Sequence, residues 1–151
     1  MLRNVDKYLL LFVKKKVESM EQNLLHFYLN LVKEETNIND EKIQSFTKQL
    51  DHYLDMLSKF TDWIKENIKD SKDDVSAACN DYLKVLGLVA TAHAWIKVLE
   101  VSFKDYDNNK DFYEDKIQTA NFYFNRVLPR AESHFKSAIT GSKYIMDYKF
   151  N

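Results

Sequence analysis

Apolar side chains recur at three- and four-residue steps along most of this sequence, which is the spacing that places them on one face of an α-helix. Four separate stretches show the pattern, and each leaves an apolar stripe that must be buried against other helices. The 151 residues include only two glycines and one proline, whereas strand-rich folds need turn residues about every 8–12 positions. The sequence therefore predicts an all-α fold made of long helices.

The first two stripes lie between residues 4 and 68. The first stripe comprises Val5, Leu9, Phe12, Val13, Val17, Met20, Leu24, Phe27 and Leu31. The second stripe comprises Ile43, Phe46, Leu50, Tyr53, Leu57, Phe60, Ile64 and Ile68. The second repeat is the most regular in the chain, and such regularity is typical of the seams along which bundle helices pack. We therefore expect helix two to be the most clearly marked of the four.

The third and fourth stripes occupy the second half of the chain. The third comprises Val75, Ala78, Cys79, Tyr82, Leu86, Val89, His93, Ile96, Leu99 and Phe103. The fourth comprises Ile117, Ala120, Phe124, Val127, Ala131, His134 and Ala138. Polar segments of about four to six residues join the four stretches, and connections this short make neighbouring helices antiparallel. The sequence thus predicts one domain over residues 1–151, an up-down four-helix bundle.

Pairs of polar side chains mark the predicted helix starts. Asp40 with Glu41 precedes the second helix, where both complement its positive end. Ser71 with Asp74, and Asp111 with Glu114, have the spacing of capping boxes before the third and fourth helices. We therefore expect helix four to begin at Asp111.

Pro129 lies inside the fourth apolar stripe, where it removes a backbone donor and crowds the preceding turn. We expect the fourth helix to be kinked there so that it wraps the core, and a kink that lines a ligand site is the alternative. Gly87, inside the third helix, costs about 1 kcal/mol relative to alanine. Its presence predicts the close approach of a neighbouring helix.

Composition excludes several classes of function. The net charge is −1 and the basic residues form no long block, which argues against nucleic-acid binding. No uninterrupted apolar run approaches the roughly 20 residues of a membrane span, and no cleavable secretion signal is recognisable. Cys79 is the only cysteine and has small neighbours, so we expect a packed thiol and a reducing, cytoplasmic location. Residues 2–17 have a second interpretation, as an amphipathic segment on an anionic membrane surface.

Catalytic and metal-binding patterns are missing from the sequence. Its four histidines fall one on each predicted helix, and two of them, His26 and His52, point away from the predicted core while His93 and His134 point towards it. No Glu-x-x-His step, nucleophilic relay or glycine-rich phosphate loop occurs. We therefore assign no catalytic, cofactor-binding or metal residue. The aromatic residues are interpreted mainly as core, and Tyr106, Tyr113, Phe122 and Tyr123 as an exposed contact surface.

Two ordered segments carry a resemblance to a known family. They are Asn80–Trp95, NDYLKVLGLVATAHAW, and Lys116–Thr140, KIQTANFYFNRVLPRAESHFKSAIT. Both resemble helices of the extra C-terminal domain of the acyl-CoA dehydrogenase family, in its long-chain and methylthio-acyl subgroup. The Leu-Pro-Arg-Ala run at Leu128–Ala131 is part of that likeness, which covers Val75 to Met146 and is compatible in layout before it.

The resemblance implies that this chain is one domain of an enzyme but that it does not itself carry the catalytic residues. In full-length relatives other domains hold FAD and the acyl-CoA thioester and supply a glutamate base, and no stretch of this chain looks like those domains. We therefore expect a module that is inactive alone and holds no FAD, and that contacts dehydrogenase core domains, a second copy or a membrane surface. Arg126, Arg130, Lys136 and Lys143 are the implied charged contacts. The alternative is an unrelated helical interaction or scaffold protein.

Overall fold

A computed structural model describes residues 23–35 and 40–146, and within these ranges the chain forms helices and turns without a strand. The helices are α1 Asn23–Glu35, α2 Glu41–Asn67, α3 Lys72–Lys104, α4 Lys110–Phe122, α5 Arg130–Ala138 and the short α6 Lys143–Met146. A 3₁₀ turn, Tyr106–Asn108, precedes α4, and a π-helical turn, Tyr123–Val127, follows it. The all-α class is confirmed. The predicted amphipathic segment 2–17 and most of the first predicted turn lie outside the described residues.

The helix starts agree with the sequence at two of three places, before α2 and before α3. The Asp40 carboxylate accepts a hydrogen bond from the backbone N–H of Lys42 at 2.9 Å and caps α2 as predicted. The N-cap of α4 is Asn109, which accepts from the N–H of Phe112 at 3.4 Å, so the predicted start at Asp111 is wrong. An asparagine amide satisfies the free donors of the first turn as well as a carboxylate does.

Ser71 is the N-cap residue of α3, as predicted, although its side chain accepts no hydrogen bond from the first turn of the helix. The predicted partner Asp74 reaches a different segment: its Oδ1 accepts from the Ser142 N–H at 2.6 Å and from the Ser142 hydroxyl at 2.7 Å. The side chains of Ser71 and Asp74 do pair with each other, but the capping-box hydrogen bonds to the backbone do not form. The Asp74 carboxylate also connects the residue before α6 to the start of α3.

Helix α2 forms one wall of the core because it packs against α1, α3 and α5. Seven of the eight predicted stripe residues are buried, and the eighth, Ile68, is partly buried against them. Leu54 and Met56 are buried as well, so the apolar face is wider than a single seam. Phe60 lies at the junction, with its ring 5.1 Å from that of Tyr82 on α3 and 5.3 Å from that of Phe135 on α5.

Helix α3 packs against α2, α4 and α5, so it is surrounded on several sides. Seven of its ten predicted stripe residues are buried, and the other three, Leu86, His93 and Phe103, are only partly buried. Val85, Ala92 and Ser102 are buried in addition. Among residues 23–35 and 40–146, a side chain at Gly87 would meet nothing within 4 Å, so the predicted close approach is not made by any helix that the structure describes. By length and composition α3 is apolar enough to cross a membrane, a test that core helices of globular proteins also pass. The prediction of no membrane span considered only uninterrupted apolar runs, and polar residues such as Thr91 and His93 interrupt the apolar stretch of α3.

Candidate functional site

The segment around Pro129 differs from a regular helix by one wide turn. The N–H of Leu128 bonds to the carbonyl of Tyr123 at 2.9 Å, five residues back instead of four, and Pro129 stands at the N-cap of α5. The extra residue rotates the helix, as π-bulges do, and so buries Tyr123, Phe124 and Leu128. Val127, which the regular stripe placed in the core, is only partly buried.

Tyr123 is therefore a core residue, and the prediction that it belongs to an exposed contact surface is wrong. Its exposed fraction is 9%. The hydroxyl donates a hydrogen bond to the Leu88 carbonyl on α3 at 2.7 Å, and the ring lies 6.4 Å from that of Trp95. Burial raises the pKa of the Tyr123 phenol above its usual value. The side chain ties the π-helical turn to α3.

Replacing Tyr123 with phenylalanine is expected to lower the free energy of unfolding by about 1 kcal/mol, because the Leu88 carbonyl then loses its hydrogen bond from the phenol. Urea unfolding followed by circular dichroism measures the change. Tyr144→Phe is the control, because Tyr144 is 77% exposed and its substitution is expected to change stability by less than about 0.5 kcal/mol. Equal effects of the two substitutions would contradict the role given to the Tyr123 hydroxyl.

The other predicted contact residues lie at the two ends of α4. Phe122, Arg126 and Arg130 are exposed and follow one another at four-residue steps across the π-helical turn. Tyr106 and Tyr113 are partly buried at the opposite end, about 14 Å away along the helix at the usual rise per residue. The structure thus divides the predicted surface into two, and only the half around Phe122 is well exposed.

Tyr106 is engaged within its own end of α4. Its hydroxyl donates to Glu114 Oε2 at 3.0 Å, and this hydrogen bond to the carboxylate raises the pKa of the Tyr106 phenol. The ring of Tyr113 packs against that of Phe112 with centroids 5.2 Å apart. Glu114 therefore holds the 3₁₀ turn instead of completing the predicted capping box.

The described histidines have separate partners. His134 Nδ1 lies 2.9 Å from Asp81 Oδ1, which joins α5 to α3, and His93 Nδ1 lies 3.4 Å from the Tyr28 hydroxyl on α1. His52 is exposed, and its Nε2 lies 3.8 Å from Glu132. Among residues 23–35 and 40–146, no group of three or more His, Cys, Asp or Glu side chains is arranged to hold a metal ion.

A groove of about 310 Å³ runs between α2 and α5. It is lined by His52, Asp55, Met56, Lys59, Glu132, Phe135 and Lys136. Glu132 accepts from the Tyr53 hydroxyl at 3.4 Å and lies 3.7 Å from Lys136, so its charge is already compensated. Burial, followed by the nearby Glu132 charge, raises the pKa of the Tyr53 phenol. The groove is open and lined by side chains of both charges, and none of its lining residues is an activated nucleophile.

Cys79 is packed and unreactive, as its small neighbours predicted. The thiol is 1% exposed and donates to the Val75 carbonyl at 3.1 Å. Burial raises the pKa of Cys79 to about 11, which leaves almost no thiolate at neutral pH. The sulfur therefore contributes to packing and not to nucleophilic chemistry.

Comparison with known proteins assigns these helices to a family. The family model described as "Acetyl-CoA dehydrogenase C-terminal like" matches residues 27–149. The chain belongs to this family. A search of curated proteins and a search of solved structures found no match.

The match to the acetyl-CoA dehydrogenase C-terminal-like family extends the likeness seen in Asn80–Trp95 and Lys116–Thr140 across nearly all the described helices. The alternative of an unrelated bundle that shares the pattern by chance is therefore wrong. In this C-terminal-like domain, the Leu-Pro-Arg-Ala run that carried the resemblance is the segment that ends the π-helical turn and starts α5.

Proposed function

We propose that this chain is a non-catalytic helical module of an FAD-dependent acyl-CoA dehydrogenase of the fatty-acid oxidation class, in the long-chain or methylthio-acyl subgroup. The observation that carries the proposal is the family match over residues 27–149. A bundle interior filled by side chains such as Phe60, Phe124 and Leu128 supports it. In this proposal the dehydrogenase domains hold the flavin and the base, and this module supplies contacts.

The proposal also covers the order of the helices, the location of the module in the cell and its association with other surfaces. The helices follow an up-down order with a bend at Pro129, which the π-helical turn and the new start at Arg130 support. The module lies in the cytoplasm, in keeping with a single buried, free thiol. It also self-associates and touches membranes peripherally, and exposed apolar residues such as Tyr144 and Ile145 favour association.

The surface proposed to contact the dehydrogenase domains is the exposed half of the predicted set. Phe122 is 58% exposed at the end of α4, and Arg126 and Arg130 are exposed at successive four-residue steps after it. An aromatic anchor with neighbouring arginines is the composition that most often dominates protein interfaces. Its partner is an apolar pocket with an acidic rim.

Phe122→Asp is expected to weaken the complex with the dehydrogenase domains by about 30-fold or more, because a charge replaces the apolar anchor. The full chain is co-expressed with acyl-CoA dehydrogenase catalytic domains, and the complex is measured by affinity co-purification and titration. Phe112→Asp is the matched control, since Phe112 is 50% exposed on the same helix. Retained binding by Phe122→Asp, or equal losses in both variants, would contradict this surface.

A further inference from the structure

The groove between α2 and α5 has two chemically different ends. The Tyr53 hydroxyl donates to Glu132 at 3.4 Å, and the ring centroids of Phe60 and Phe135 lie 5.3 Å apart. Residue numbers therefore increase in the same direction along both walls of the groove. His52 Nε2 and Glu132 Oε1, 3.8 Å apart, mark the first end. The second end lies about 6–10 Å further on, one to two helical turns later in each wall.

Two lysines occupy the second end. Lys59 follows His52 by two turns of α2, and Lys136 follows Glu132 by one turn of α5. Within residues 23–35 and 40–146, no carboxylate lies within ion-pair distance of Lys59. Lys136 lies 3.7 Å from Glu132, but both side chains are exposed, and exposed pairs are weak enough for a bound anion to compete with them. This end can therefore receive an anion.

The carboxylates that line the groove do not compete for this position. Asp55 is bound by Lys33 of α1 at 2.6 Å, on the side away from α5. Asp51, which Lys33 also faces, does not line the groove. Glu132 already accepts the hydrogen bond from tyrosine and lies near two cationic side chains. Lys59 is thus the lining charge that a single added carboxylate would complement.

The floor of the groove is apolar and suits an aromatic ring. Met56 is 7% exposed and Phe135 is partly buried. The edge-on contact with Phe60 in the core holds the Phe135 ring from beneath, with an angle of 63° between the two planes. A thioether sulfur and an aromatic ring both make favourable contacts with a further aromatic ring. The volume of about 310 Å³ is small for a ligand site, so the occupant is small as well.

We propose that this groove binds a small aromatic carboxylate. The ring of the ligand packs on Met56 and Phe135, and its carboxylate lies between the ammonium groups of Lys59 and Lys136. An inorganic anion would leave the apolar floor in contact with water, and a neutral aromatic molecule would leave Lys59 without a partner. The site is separate from the contact surface at Phe122 and does not depend on the function proposed for that surface.

An NMR titration of the full chain with phenylpropanoate tests this proposal. Saturable shifts of the amide signals are expected in residues 52–59 and 132–136, with a Kd of the order of 1 mM, as for a ligand of about eleven non-hydrogen atoms. Phenylpropanol has the same ring and chain but no charge, and we expect it to bind at least about tenfold more weakly. Inorganic phosphate is expected to give no saturable shifts in these segments.

Matched lysine substitutions locate the carboxylate. Lys59→Gln is expected to weaken phenylpropanoate binding about fivefold, whereas Lys48→Gln, which removes an exposed lysine of α2 outside the groove, is expected to change it by less than about 1.5-fold. Both positions are exposed, and the amide spectrum reports whether each variant is folded. Equal weakening by the two substitutions, or no weakening by Lys59→Gln, would overturn the proposal. Equal binding of phenylpropanol or phosphate, or shifts centred outside the groove, would overturn it too.

Discussion

Phe60→Ala is expected to lower the free energy of unfolding by about 3–5 kcal/mol, the usual range for deleting a fully buried phenylalanine ring. Phe60 is 0% exposed and lies where α2, α3 and α5 meet. Its ring makes edge-on contacts with Tyr82, Phe135 and Trp63 at centroid distances of 5.1, 5.3 and 6.3 Å. Three helices lose a shared contact at once, so neighbouring side chains cannot easily close the cavity.

Urea unfolding at equilibrium measures this loss, with Phe122→Ala as the matched control. Phe122 is 58% exposed, and its truncation is expected to change the free energy of unfolding by less than about 0.5 kcal/mol. A domain of this size loses a large part of its stability with Phe60→Ala. A loss below about 1 kcal/mol would show that the three helices do not meet at this ring.

Gly141→Ala is expected to destabilise the C-terminal end of the bundle for two separate reasons. Gly141 has φ of +74°, a left-handed conformation that costs other residues about 1–2 kcal/mol. A β-carbon there would also lie 2.7 Å from Asp74 Oδ1, the atom that accepts both hydrogen bonds from Ser142. These hydrogen bonds, the backbone one first, hold the pKa of Asp74 below its usual value of 3.8. The new methyl group would push this carboxylate off its partners.

A double-mutant cycle separates the two reasons. The free energy of unfolding is measured for Gly141→Ala, for Asp74→Ala and for the double variant. The Asp74 carboxylate both binds Ser142 and obstructs a β-carbon at position 141. The double variant is therefore expected to lose less stability than the sum of the single losses. Hydrogen exchange of the Ser142 amide should rise in all three variants. A neutral Gly141→Ala, or strict additivity in the cycle, would contradict the contact between Gly141 and Asp74.

Helical periodicity predicted the parts of the fold that depend on local spacing. The stripe of α2 was predicted almost residue by residue, because an amphipathic helix buries the side that its sequence repeat marks. The all-α class followed from the same repeats. The periodicity was less informative for α3, where Val85, Ala92 and Ser102 are buried beside the predicted stripe. A helix with neighbours on several sides buries more than one narrow face.

Features that depend on distant contacts or on a change of helical pitch were not predicted. Asp74 and Ser142 are 68 residues apart, and Asp81 and His134 are 53 apart, so no local spacing signals either pair. The π-helical turn moved Tyr123 from the expected surface into the core. The one available signal was Pro129, whose missing N–H disturbs the hydrogen bonds of the preceding turn. A regular 3.6-residue repeat carried across that proline misplaces the residues just before it.

The distribution of flavin tests the central claim of the account most directly. The full chain is co-expressed with acyl-CoA dehydrogenase catalytic domains, and flavin absorbance is recorded during size-exclusion chromatography of the chain alone and of the complex. We predict that the chain alone elutes without flavin and that, in the complex, it co-elutes with flavin-bearing dehydrogenase domains. Flavin eluting stoichiometrically with the chain alone, or no complex with those domains, would contradict a non-catalytic contact module.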